Sequence, residues 1–140
     1  VGARALWRPG AVSELVVASA SPDAVGLSAV AGLLDPLLRE EPCGLHLRLA
    51  PPEKARRVLS VPLAPGLIVP VGVAEARRVP LGEEVRLEPG AGVVALDGER
   101  EIERGLGDRV SVVPDGEGPV VVDVAAAMRQ AAQRGLLETR

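Results

Sequence analysis

Two carboxylates, Asp97 and Glu99, stand either side of Gly98 in the run Leu96-Asp97-Gly98-Glu99-Arg100-Glu101. A carboxylate held in the open can align a hydroxyl group or accept its proton, the usual work of a general base. The same residues also read as plain structure. Asp-Gly between the strand-like runs Val93–Leu96 and Arg100–Glu103 is a strong hairpin signal, because both residues tolerate the positive φ of a tight turn. Turn chemistry explains Gly98 without any function, so both readings stand at the level of residues.

Other reactive groups are sparse. Cys43 and His46 are the only soft metal ligands, and one of each at a gap of two residues makes a weak zinc pattern. On a strand, Cys43 points to the apolar side and His46 to the polar side, where a lone histidine is usually solvated. The pairs Arg56-Arg57 and Arg77-Arg78 could grip a phosphate through the guanidinium fork, or form a solvated face. Ser21-Pro22-Asp23 shapes a helix start, and either faces a ligand or simply caps the helix. No P-loop, no Gly-x-Gly-x-x-Gly after a strand and no nucleophile elbow is present.

The elements that must position these groups are short strands. The 140 residues suit one domain, 1–140, with enough chain for a core. Trp7 is the only aromatic residue, so Val, Leu and Ala fill that core. Only Lys54 among the basic residues is lysine, and Asn is absent, a pattern of a GC-rich genome or a thermophile. Net charge is −3 with the signs interspersed, unlike the basic footprint of a nucleic-acid binder. One cysteine excludes an internal disulfide framework and fits a cytoplasmic location. No apolar run reaches the ~20 residues of a membrane span, and no signal peptide is visible.

After the Pro9-Gly10 break, Glu14–Ala18 reads as a strand. A helix is expected from Pro22 to about Leu34, capped by Ser21 and stopped at Asp35-Pro36. Its Val25, Ala29, Gly32 and Leu33 share a face, and the glycines permit close backbone approach. Leu45, Leu47 and Leu49 alternate with His46 and Arg48 in a half-buried strand. Further strands are expected at 58–61, 67–69, 71–74 continuing into 77–79, 85–87, 93–96, 100–103, 109–113 and 120–122. Asp123 caps a terminal helix, about 124–137, with Val124, Met128, Ala131 or Ala132, and Leu136 as an apolar stripe. The expected fold is mainly β with two helices, an antiparallel β-sandwich.

The run Gly92-Val93-Val94-Ala95-Leu96-Asp97-Gly98-Glu99-Arg100-Glu101-Ile102 resembles the C-terminal signature of ATP-NAD kinase-like proteins of the AcoX type, encoded with acetoin catabolism genes. Glu14–Val17, Pro22–Ala29 and Ala64–Leu67 extend the resemblance from about Gly2 to Met128, and Gly26-Leu27-Ser28-Ala29 resembles the Ser-Leu-Ser-Ala element of NAD kinases. The resemblance implies the C-terminal domain of the NAD kinase fold, within the NAD kinase and diacylglycerol kinase superfamily. It implies a partner, an N-terminal nucleotide-binding domain whose Gly-Gly-Asp-Gly loop binds ATP with Mg2+. That loop is absent here. By the same resemblance Asp97 is the base, Glu99 orients a neighbour or a metal-bound water, and Gly98 permits close approach. Arg100, Ser21, Asp23 and Ser28 complete the acceptor-binding set. The expected activity is phosphoryl transfer to a hydroxyl of a nucleotide or small metabolite, absent from this chain alone. A non-catalytic oligomerisation or ligand-sensing β-sandwich is the rival from another class, with the acids and terminal helix as contact surfaces of a homo-oligomer.

Overall fold

Four antiparallel strands carry the main sheet: β1 (Glu14–Val17), β2 (Cys43–Ala50), β3 (Arg57–Ala64) and β4 (Leu67–Pro80), in the order β1-β2-β4-β3. The computed structural model describes residues 11–37, 41–97, 99–118 and 120–138. Trp7, the Pro9-Gly10 break and Gly98 lie outside them. The 71–74 run does continue into 77–79, and β4 is one strand that pairs first with β3 and then with β2. Pro70 sits where β4 is paired on one side alone, the place in a sheet where a missing N–H is tolerated. A bulge at Arg48/Leu49 leaves Ala74 without an opposite residue and bends the strand.

Period-two patterning decides the two faces of this sheet. Leu45 and Leu47 of β2 are fully buried with Val61, Val71 and Val73, and α1 (Ser28–Leu34) covers them with Ala29, Val30 and Ala31. Burying each leucine contributes about 1.5–3 kcal/mol. His46 and Arg48 take the opposite face, as their alternation requires.

The first helix is shorter than expected. It spans Ser28–Leu34 and follows Leu27, with no side-chain cap. Ser21 Oγ donates to the Asp23 carboxylate instead, and Ala24 N–H bonds to the Ser21 carbonyl at 3.2 Å, making a turn. Two tertiary demands override the capping signal. Gly26 adopts φ 102° and donates its N–H to the Pro62 carbonyl of β3 at 2.9 Å. The Ser21 carbonyl packs against Gly32, where any Cβ would lie 2.5 Å from the Ser21 carbonyl carbon. Gly32 therefore permits the expected close approach, whereas Val25 and Leu33 are exposed.

The rest is built from small pieces. Strand β5 (Val85–Arg86) pairs with β8 (Ser111–Val112), and β6 (Gly92–Leu96) with β7 (Arg100–Arg104). The second layer of the expected sandwich is thus two two-stranded pieces among the described residues. Val120–Val122 forms no strand and is exposed, since it pairs with none of the described strands and its backbone is left to solvent. Asp123 caps α2 (Val124–Gln133) as its sequence requires, its Oδ1 accepting from Ala126 N–H at 2.8 Å. Gly135 follows at φ 64°, the left-handed residue that commonly ends a helix. Helix α2 buries no residue, so the stripe of Val124, Met128 and Leu136 is open. No helix among the described residues is long and apolar enough to cross a membrane.

Candidate functional site

The β6–β7 hairpin holds Asp97 as the sequence predicts. Leu96 pairs with Arg100, Glu99 N–H closes the turn on the Leu96 carbonyl at 3.1 Å, and Asp97 takes φ 52°. Asp and Asn tolerate that left-handed conformation better than other residues with a side chain. Asp97, Glu99 and Arg100 are exposed, and among the described residues the Asp97 carboxylate has no hydrogen-bond partner. Gly98 lies outside the described residues.

Ser21 and Asp23 are tied to each other in the turn before α1, and Ser28 opens the helix. None of Asp97, Glu99, Arg100, Ser21, Asp23 or Ser28 lines either of two cavities beside the main sheet. Two of them adjoin one. Leu27 and Leu96, the residues just before Ser28 and Asp97, line the same apolar cleft.

The first cavity is polar and lies on the His46 face of the sheet. Directly opposed strand residues share a face, so Glu14 with Arg48, and His46 with Arg77, all project there. His46 Nε2 lies 2.8 Å from Glu14 Oε2, with only 10% and 7% of the two side chains exposed. The other Glu14 oxygen accepts Glu88 N–H at 2.7 Å. Arg48 bonds to both Glu75 and Glu88. Arg56 and Arg77, one from each arginine pair, line the same space of about 510 Å³. The cavity therefore mixes guanidinium groups with three glutamates and one oriented imidazole. The sequence left His46 as a solvated strand residue; its partner Glu14 sits 32 positions away, and only strand register brings them together. Their shared signal is a polar position on each of two adjacent half-buried strands.

The second cavity is an apolar cleft of about 270 Å³ between β1 and the β6–β7 hairpin. Leu15, Leu27, Leu87, Val94 and Leu96 contribute walls, and Glu14 and Arg104 contribute charge. Arg104 Nη1 is shut off from solvent and has no hydrogen-bond partner. Leaving a charged donor buried and unpaired costs about 1–3 kcal/mol or more. Nothing in the spacing of Glu101-Ile102-Glu103-Arg104 marks Arg104 out, since its Nη1 is shielded where the hairpin and β1 line one cleft.

Arg77 and Arg78 are held in ion pairs. Arg77 pairs with Glu83 at 2.6 Å. Arg78 forks onto Asp35 at 2.7 and 3.0 Å and reaches Glu41 at 2.6 Å. Hydrogen bonding from Arg78, reinforced by its charge, holds the Asp35 carboxyl below its ordinary value against the opposing effect of burial. The Asp35 and Glu41 bonds raise the Arg78 guanidinium further. No three His, Cys, Asp or Glu side chains among the described residues are grouped to hold a metal ion.

With this geometry in place, the comparisons with known proteins are specific. The family described as the acetoin catabolism protein X C-terminal domain matches residues 1–117. Acetoin catabolism protein X of Cupriavidus necator is 42% identical over 139 residues, which is 99% of this chain and 39% of that relative. The chain thus spans about two fifths of the length of the curated relative it matches. No solved structure matches it. A family match over most of the chain, joined to a relative of such identity, settles kinship: the chain belongs to the acetoin catabolism protein X C-terminal domain family.

Proposed function

We propose that this domain is the acceptor side of an ATP-dependent phosphotransferase related to the ATP-NAD kinases, closing over a hydroxyl acceptor and inactive without its nucleotide-binding partner domain. The observation that carries the reading is Asp97, an exposed carboxylate without a partner among the described residues, held at φ 52° on the tip of a hairpin beside a cleft. Phosphoryl transfer is mainly positioning and charge neutralisation, with one carboxylate to align or accept the hydroxyl proton. An exposed Asp does this well only after a second domain excludes water around it. The nucleotide, its Mg2+ and the Gly-Gly-Asp-Gly loop belong to that domain in this reading.

The test is ATP turnover by the full-length protein against a panel of nucleotides, polyols and acetoin-pathway metabolites, with Asp97→Asn in parallel. Loss of about 10²-fold or more in kcat, with an unchanged melting temperature, supports the base role. Equal turnover by Asp97→Asn ends it.

A non-catalytic interaction module is the second reading, favoured by the open apolar stripe of α2. Absence of ATP turnover in the full-length protein, together with self-association that Met128→Glu abolishes in size-exclusion light scattering, selects that reading.

A further inference from the structure

The cleft between β1 and the β6–β7 hairpin combines features that rarely coincide without a ligand. Its walls are largely leucine and valine, yet one guanidinium nitrogen, Arg104 Nη1, is buried beside them without a partner. An apolar pocket with a small number of placed polar groups is the general form of a small-molecule site. A shielded guanidinium N–H on a half-buried arginine is suited to an oxyanion, since a charge-assisted hydrogen bond is the strongest compensation on offer. The register explains why this donor is free. Arg104 stands opposite Gly92, which has no side chain to meet it.

Size and charge narrow the ligand. A volume of about 270 Å³ admits a small molecule. Glu14 also lines the cleft, but its two oxygens bond to His46 and to Glu88 N–H, and Arg104 Nη1 takes no bond from it. Its negative charge opposes a dianion more than a monoanion. We infer that the cleft is a binding site for a short-chain aliphatic monocarboxylate, with the carboxylate accepting from Arg104 Nη1 and the alkyl chain lying against Leu15, Leu27 and Leu87. The cleft is separate from the Asp97 carboxylate, and its occupancy does not depend on phosphoryl transfer.

Titration calorimetry of the full-length protein with sodium pentanoate tests the site, alongside pentan-1-ol and inorganic phosphate. Pentanoate is expected to bind with Kd of roughly 0.1–10 mM. Pentanol lacks the charge and phosphate lacks the chain, so each should bind at least about tenfold more weakly. Arg104→Gln should weaken pentanoate about tenfold or more, while Arg109→Gln, an exposed arginine outside the cleft, leaves it unchanged. Leu27→Trp fills the cleft and keeps the guanidinium, so it should also abolish binding even if Arg104→Gln folds poorly. Side-chain NMR of ¹⁵N-labelled arginine should show one guanidinium shifting with pentanoate, the signal missing in Arg104→Gln. The site is overturned by no saturable binding below about 10 mM. Phosphate or pentanol binding as tightly as pentanoate overturns it too, as does unchanged affinity in well-folded Arg104→Gln or Leu27→Trp.

Discussion

Glu14 illustrates how one side chain gains consequence from its neighbours. It is a strand residue with a carboxylate at a polar position, yet it satisfies both His46 and the Glu88 N–H in a nearly closed setting. Glu14→Ala is expected to cost about 1–3 kcal/mol in urea denaturation, because two polar groups lose their partner. Glu75→Ala removes a far more exposed carboxylate from Arg48 and should cost under about 1 kcal/mol. Asp97 offers a residue-scale contrast, since its conformation was legible in the Asp-Gly dipeptide. Asp97→Val places a β-branched side chain at φ 52° and should destabilise the turn by about 1–2 kcal/mol, seen as faster amide exchange across β6 and β7. Asp97→Asn keeps the turn, which is why it separates chemistry from structure.

At the scale of elements, close backbone approach governs the first helix. A Cβ at Gly32 would overlap the Ser21 carbonyl, so Gly32→Ala should lower stability by about 1–3 kcal/mol, read as a fall in Tm. Gly107→Ala, with nothing within 4 Å of the added methyl, serves as the near-neutral comparison. Local capping rules read α2 correctly and α1 incorrectly, for one reason. Helix α2 touches little and obeys its own sequence, whereas the α1 entry is pulled to β3 by the Gly26–Pro62 bond. Asp123→Ala should therefore cost about 1 kcal/mol of α2 helicity while leaving the main unfolding transition in place, measured by exchange and circular dichroism.

Across the whole molecule, the Asp35–Arg78 fork fastens the segment after α1 to β4. The Asp35 carboxyl is held below its ordinary value near 3.8, so the folded state binds its proton less readily than the unfolded chain does. The resulting stability is present above about pH 4 and is lost as pH falls through the folded value. Asp35→Asn should thus melt below wild type at pH 7, and the gap in Tm should close on acidification below pH 4. Both partners are substantially exposed, so added salt should narrow the gap as well.

The sequence by itself determined the strand-rich class, the two-faced β2, the Asp97 hairpin and the cap of α2. Each of these depends on residues within a few positions of one another, where periodicity and turn chemistry act. Ordered matches along the chain also carried the family resemblance. Tertiary structure alone decided that Glu14 meets His46, that Arg56 and Arg77 share a cavity, and that Arg104 Nη1 is shielded from solvent with no partner among the described residues. Those facts rest on strand order and on how a hairpin lies against β1. Alternation assigns a residue to a face, but only pairing across the sheet says what that face will meet.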